Sequence, residues 1–147
     1  MQNGKEAREC VLQIIHTRMA FKKAMQRVLK KHNTGITFEM FQILICLWQE
    51  QGISQQTLAE RTAKDKASLT SLMTNMEKRG FVRREESKVD RRNNCVYLTE
   101  LGVDLQQKIN PAIYELYSYI EKEIGLSTIK KSNADLKRLH SILEDFE

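Results

Sequence analysis

Punctuation constrains this chain more than any other feature. Its only proline is Pro111, and its six glycines stand at positions 4, 35, 52, 80, 102 and 125 of 147 residues. Both residue types interrupt helices, so long stretches free of them predict a helix-rich fold. Gly35, Gly52, Gly80 and Gly125 each follow an amphipathic stretch, where a residue of positive φ closes a helix at little cost. A length of 147 residues predicts one domain, and 41% hydrophobic with 29% charged residues supports both a core and a wet surface.

The two ends of the chain carry long apolar stripes. Over Glu6 to Lys31, the residues Ala7, Val11, Ile14, Phe21, Met25 and Val28 fall at spacings of a helix face, interrupted by Arg18. Between Leu101 and Glu123, Ile109, Ile113, Leu116 and Ile120 share a face, with Pro111 starting or kinking the helix. Behind a Ser127 cap, Ile129, Leu136, Leu139, Leu143 and Phe146 repeat the pattern. A short domain has little interior to hide both ends, so a second copy of the chain is the expected partner. Val11, Ile14, Leu136, Leu139 and Leu143 carry that expectation; the alternative is that the two ends pack on each other within one subunit.

The centre reads differently. Thr37 caps a helix whose expected buried members are Phe38, Phe41, Ile45 and Trp48. Ser54 then starts a short helix with Leu58 and Ala59 inward, a break follows at Thr62 to Lys64, and Asp65 caps a second helix closed by Gly80. That is a helix-turn-helix. In the second helix Leu69, Leu72, Met73 and Met76 cluster on one side, leaving Ala67, Ser71, Thr74 and Lys78 opposite, flanked by Thr70 and Asn75. Small polar groups on the outward face let a helix sit deep in a major groove. After Gly80, Phe81–Glu85 and Asn94–Leu98 read as two strands of a hairpin whose tip, 86–93, carries Lys88, Asp90, Arg91 and Arg92. Basic residues at such a tip suit phosphates or a minor groove, with Asp90 placed to orient an arginine; a merely solvated tip is the bland alternative.

Charge is distributed to match. Residues 61–92 hold ten basic and five acidic residues, whereas residues 93–147 hold six and nine. A basic middle with an acidic tail predicts an anionic partner such as a nucleic acid.

Other classes find no support. The patterns GxxxxGK[ST], GxGxxG and GxSxG are missing, so no enzyme is expected. His16, His32 and His140 are isolated, and Cys10, Cys46 and Cys95 form no CxxC, so neither a metal site nor a cofactor nor a disulfide framework is expected. The longest apolar run, Ile43 to Trp48, is too short to span a bilayer, and no signal segment follows the opening residues, so a cytoplasmic protein without membrane contact is expected.

The ordered set of LAERTAKDKASLTSLMTNMEKRGFVRR from Leu58 and DRRNNCVYLTELG from Asp90 resembles the MarR family of winged helix-turn-helix transcriptional regulators. The best matches are Leu58-Ala59, Asp65, Met76 to Val82, Asp90-Arg91-Arg92, Leu98-Thr99 and Gly102. The resemblance implies a mainly α fold with a two-stranded β wing and long N- and C-terminal dimerisation helices. Residues of about 36–98 would form the DNA-binding lobe, and about 5–31 and 101–147 the helical dimerisation region of one domain over 1–147. It implies a cytoplasmic homodimer that binds a near-palindromic promoter in double-stranded DNA as a repressor, released by a small-molecule effector. Carried over by position, Lys66, Ser68, Thr70, Ser71 and Thr74 look like the major-groove helix and Lys88, Asp90, Arg91 and Arg92 like the wing, with Arg92 in the minor groove. Thr62 departs from the large aliphatic residue the family usually places there, which puts the packing under the turn in doubt.

The same resemblance implies an aromatic or phenolic effector near Arg18, Phe41, Ile45 and Trp48, where Arg18 could meet a carboxylate or instead snorkel or pair across a dimer interface. Cys10 invites comparison with peroxide-sensing members, but the match is poor, since the first helix has no tyrosine. A thiol-based redox regulator and a winged module used only for protein contacts stand as the alternatives.

Overall fold

The computed structural model describes residues 3–90 and 93–147. Six helices and three strands follow in the order α1 (Lys5–Lys31), α2 (Phe38–Gln49), β1 (Ile53–Ser54), α3 (Gln55–Arg61), α4 (Lys66–Lys78), β2 (Val82–Glu86), β3 (Asn94–Leu98), α5 (Glu100–Ile124) and α6 (Leu126–Glu144). This is the mainly helical winged architecture the sequence predicts. Two compact bodies divide within α5, one ending at Ile109 and the other covering Asn110–Glu147.

In the first body, the core is built from Met25 and Leu29 of α1, Ile43, Leu44 and Leu47 of α2, Leu58 of α3, Leu69, Met73 and Met76 of α4, Val96 of β3 and Ile109 of α5, all essentially sealed from solvent. Only the C-terminal part of α1 takes part. Positions 3–20 are exposed, and burial begins where Phe21 meets Phe38 edge-on at 6.2 Å and Lys22 pairs with Glu39 at 3.0 Å. The single stripe expected along α1 is thus split into a covered half and an open half.

Helix α2 departs from the expected face. Phe38 and Phe41 are buried, but Ile45 and Trp48 are only half-buried, while Met40, Ile43, Leu44 and Leu47 are sealed. The reason is that α2 packs on α1, α4 and β3 at once, and a helix covered on several sides has no single apolar stripe. Its Thr37 cap is as expected, accepting from the Met40 N–H at 3.2 Å.

The wing has one more strand than expected. Ile53 and Ser54 pair antiparallel with Val96 and Cys95, giving the order β1-β3-β2. A two-residue strand is too short for alternation to reveal. It is held by the Gly52 N–H donating to the Val96 carbonyl at 3.0 Å and by Gln51 Oε1 accepting from the Leu98 N–H at 2.9 Å. The next strand starts at Val82 instead of Phe81, because the Phe81 N–H closes α4 on the Met76 carbonyl while Gly80, at φ 80°, donates to Glu77.

In the second body, Pro111 lies inside α5 and does not start it. Ser127 is not the cap of α6. The helix begins at Leu126 behind Gly125, whose carbonyl accepts from the Ile129 N–H at 3.0 Å. No residue of α6 is buried.

Candidate nucleic-acid interface

The turn between α3 and α4 is fixed locally. The Thr62 hydroxyl donates to the Leu58 carbonyl at 2.6 Å and Thr62 is buried, so a side chain that departs from the usual aliphatic finds its polar partner in the last turn of α3. Lys64 then donates its N–H to the Ala59 carbonyl at 2.9 Å with Ala63 in the left-handed region, and its ammonium reaches Gln42 on α2 at 3.1 Å.

Asp65 opens α4. Its Oδ1 accepts from the Ser68 N–H at 2.8 Å and its Oδ2 from the Ser68 hydroxyl at 2.7 Å. The backbone bond from Ser68, with its hydroxyl second, holds the Asp65 carboxyl below the ordinary aspartate range. The Ser68 hydroxyl is therefore engaged in capping. Thr70 and Thr74 donate their hydroxyls to the carbonyls of Lys66 and Thr70 at 2.9 and 3.0 Å. Lys66, Ser68, Thr70 and Ser71 are exposed and Thr74 is half-buried. Leu72, expected among the buried residues, is half-buried as well. Along this face runs an open recess of about 800 Å³ lined by Lys66, Thr70, Ser71, Thr74, Asn75 and Lys78.

On the hairpin, the Ser87 hydroxyl oxygen accepts from the N–H groups of Val89 and Asp90, each at 3.2 Å, and the Asn93 N–H donates to the Asp90 carbonyl at 3.0 Å. Lys88 and Asp90 are exposed. Arg91 and Arg92 lie outside the described residues. A second recess, of about 630 Å³, separates α3 and the start of α4 from the hairpin, with Gln55, Ala59, Lys66, Asp90 and Asn94 among its walls.

Three arginines outside the expected set shape this surface. Arg79 donates to the Gly35 carbonyl at 2.7 Å and lies over the Phe81 ring at 5.0 Å. Arg83 pairs with Glu85 and stacks over Tyr97 at 4.5 Å. Arg84 reaches back from β2 to Glu77 on α4 at 3.0 Å. Sequence reasoning passed over them because pairing depends on which strand residue faces which helix. The run from Glu77 to Glu86, with acids at its two ends and Lys78, Arg79, Arg83 and Arg84 between them, was the only signal available.

Of the residues expected around an effector, Phe41 and Trp48 meet edge-on at 6.3 Å, Ile45 is half-buried beside them on α2, and Arg18 is exposed on α1. The Trp48 indole N–H is buried without a hydrogen-bond partner among the described residues. Cys10 is exposed, whereas Cys46 and Cys95 are half-buried, and burial pushes the Cys46 thiol up. Among the described residues no group of three or more His, Cys, Asp or Glu could hold a metal ion, and no helix is long and apolar enough to cross a membrane. Of the residues expected at a dimer interface, Val11, Ile14, Leu136 and Leu143 are exposed and Leu139 is half-buried.

Comparison with known proteins agrees with this geometry. The sequence profile of the MarR family matches residues 36–93, the stretch from the start of α2 to the hairpin. The chain is 28% identical to the HTH-type transcriptional regulator SarZ of Staphylococcus haemolyticus (strain JCSC1435) over 94% of its own length and 89% of that protein. It is 31% identical to the organic hydroperoxide resistance transcriptional regulator of Bacillus subtilis (strain 168), covering 74% of this chain and 68% of that one. Among solved structures, NadR in complex with 4-hydroxyphenylacetate superposes with a TM-score of 0.75 at 28% identity, over 92% of each chain. On its fold and on these relatives together, the chain belongs to the MarR family of winged helix-turn-helix transcriptional regulators.

Proposed function

We propose that the protein is a homodimeric repressor that acts as one MarR-like domain on a near-palindromic promoter duplex. In this reading residues of about 36–98 are the DNA-binding lobe, and about 5–31 and 101–147 make the dimer. The observation that carries it is the outward face of α4: a helix capped by Asp65, with small exposed polar side chains flanked by Lys66 and Lys78 and followed by a hairpin bearing Lys88. Lys66, Ser68, Thr70, Ser71 and Thr74 face the major groove, and Lys88, Asp90, Arg91 and Arg92 serve as the wing. Two recognition helices related by a two-fold axis enter major grooves roughly 34 to 36 Å apart. The open apolar halves of α1 and α6 support the dimer, since such surface on both helices calls for a cover.

Release follows from a small aromatic acid that binds one dimer conformation better than the other; a ligand of equal affinity for both shifts nothing. The complex of the related NadR with 4-hydroxyphenylacetate supports that chemical class, and Arg18, Phe41, Ile45 and Trp48 are the residues assigned to it here. The protein works in the cytoplasm, where its three free thiols stay reduced.

The test is a salt series on duplexes selected from a random library. The logarithm of the affinity is expected to fall linearly with the logarithm of the salt concentration, as counterion release requires. Binding that ignores salt, or no binding at low ionic strength, overturns the reading. A thermal-shift screen with aromatic acids addresses the effector.

A further inference from the structure

Arg84 on β2 and Glu77 near the end of α4 join the two elements that the DNA reading places against a duplex. Three donors of Arg84 converge on one carboxylate: Nη2 to Oε1 at 3.0 Å, Nε to Oε2 at 3.4 Å, and the backbone N–H to Oε2 at 3.2 Å. Because β2 is an edge strand, that N–H can serve the helix while the rest of β2 pairs with β3. Nη2 also reaches the Thr74 hydroxyl on the outer face of α4, at 3.4 Å. The Arg84 side chain is only 20% exposed.

These facts separate two roles for a wing arginine. A phosphate ligand presents its guanidinium outward with its charge available, whereas Arg84 is mostly covered and faces an acid. Thr99 already fixes the base of the hairpin, donating its hydroxyl to the Gly80 carbonyl and its N–H to the Phe81 carbonyl at 3.1 Å. What remains to be set is the inclination of β2 to α4. A planar fork held by both oxygens of one carboxylate sets an angle as well as a distance, which a lysine could not do.

We propose that the Arg84–Glu77 pair is a positioning strut that sets the hairpin against α4, so that the recognition helix and the wing engage one duplex together. The inference rests on the DNA-binding reading above.

Glu77→Gln in the full-length protein separates strut from direct contact by sign. Removing an acid beside DNA, and freeing an arginine with it, would ordinarily strengthen phosphate binding and steepen the salt dependence. A strut predicts the opposite: affinity for a duplex selected with the wild-type protein falls roughly tenfold, and the slope of log affinity against log salt becomes shallower by about one per subunit. Hydroxyl-radical protection of the minor groove beside each half-site weakens, major-groove methylation protection persists, and the melting temperature stays within a few degrees of wild type, as expected where the Glu77 partner stays open to water. Arg84→Met gives the same pattern, and the exchanged pair Glu77→Arg with Arg84→Glu recovers part of the affinity. Unchanged or raised affinity in Glu77→Gln overturns the proposal, as does a lowered melting temperature with protection lost equally in both grooves. Wild-type protein that binds no duplex overturns the DNA reading itself and is seen before any variant is made.

Discussion

The Phe81 carbonyl lies directly against Gly102 in the first turn of α5, so that a Cβ added at Gly102 would overlap the carbonyl oxygen and approach Leu98 Cδ2 to 3.0 Å. Gly102 is helical and donates its N–H to the Thr99 hydroxyl oxygen at 3.1 Å. In an exposed helix, Gly to Ala gains about 1 kcal/mol. Here the obstacle is backbone and cannot swing aside, so overpacking decides the sign, and Gly102→Ala is expected to destabilise by about 1 to 3 kcal/mol. Thermal melts should show a loss of about 2 to 4 °C for each kcal/mol in a chain of this size. An unchanged or raised melting temperature would mean that α5 can move away from the α4–β2 turn.

Asp65 ties stability to pH through its cap. Its carboxyl titrates lower in the folded chain than the value of about 3.9 in an unfolded one, so the native state binds fewer protons in that interval. The cap's contribution is therefore complete above the unfolded value and is lost as pH falls through the lowered native one. Glu77, held down by the Arg84 side chain, adds an effect of the same sign in the neighbouring interval. Asp65→Asn keeps a capping oxygen without the titration, so its melting temperature should lie below wild type at neutral pH and converge on it as the pH drops. Parallel curves for the two proteins would show that the carboxylate charge contributes nothing to the cap.

How much of this was legible beforehand depends on how local each feature is. Caps at Thr37, Ser54 and Asp65 were readable because a cap and the N–H it serves lie three residues apart. Strand β3 was readable from its own composition. The two-residue β1 was not, since its pairing comes from Val96, more than forty residues away. Ser127 misled because Gly125 alone both closes α5, through its N–H to Glu121, and opens α6. Trp48 and Ile45 were expected inside because one stripe was assumed for a helix that is covered on several sides. At the candidate interface the outward face of α4 follows from periodicity, but the bonds that engage Ser68 and couple Arg84 to Glu77 need coordinates.

Arg79 belongs to the motif Glu77-Lys78-Arg79-Gly80-Phe81, yet two of its partners, Gly35 and Met40, lie far from it in sequence. Its guanidinium donates to the Gly35 carbonyl, touches Met40 Sδ at 3.5 Å and covers the Phe81 ring, linking the end of α4 to the loop before α2. Arg79→Lys keeps the charge but loses the planar fork and most of the stacking. A loss of about 1 kcal/mol is expected, and Arg79→Ala should lose about 2. Urea titrations should show a lower midpoint with the slope unchanged. Equal midpoints for Lys and wild type would reduce the site to simple charge.

Helix α6 supplies the last test, because no residue of it is buried while Leu136, Ile142 and Leu143 are 47%, 54% and 58% exposed. Nineteen residues of amphipathic helix gain little stability in water without a cover for the apolar face. On the dimer reading the cover is a second copy, so the double variant Leu139→Asp with Leu143→Asp should sediment as a monomer. Each subunit alone reaches one half-site and loses the advantage of linked binding, so operator affinity should drop by a factor on the order of 10² to 10⁴. Ala134→Asp, exposed and nearly opposite that stripe on the helix wheel, adds the same kind of charge and should leave both mass and affinity unchanged. A double variant that remains dimeric would assign the interface to other surfaces, and a monomer that keeps full affinity would show that one subunit is enough to hold the duplex.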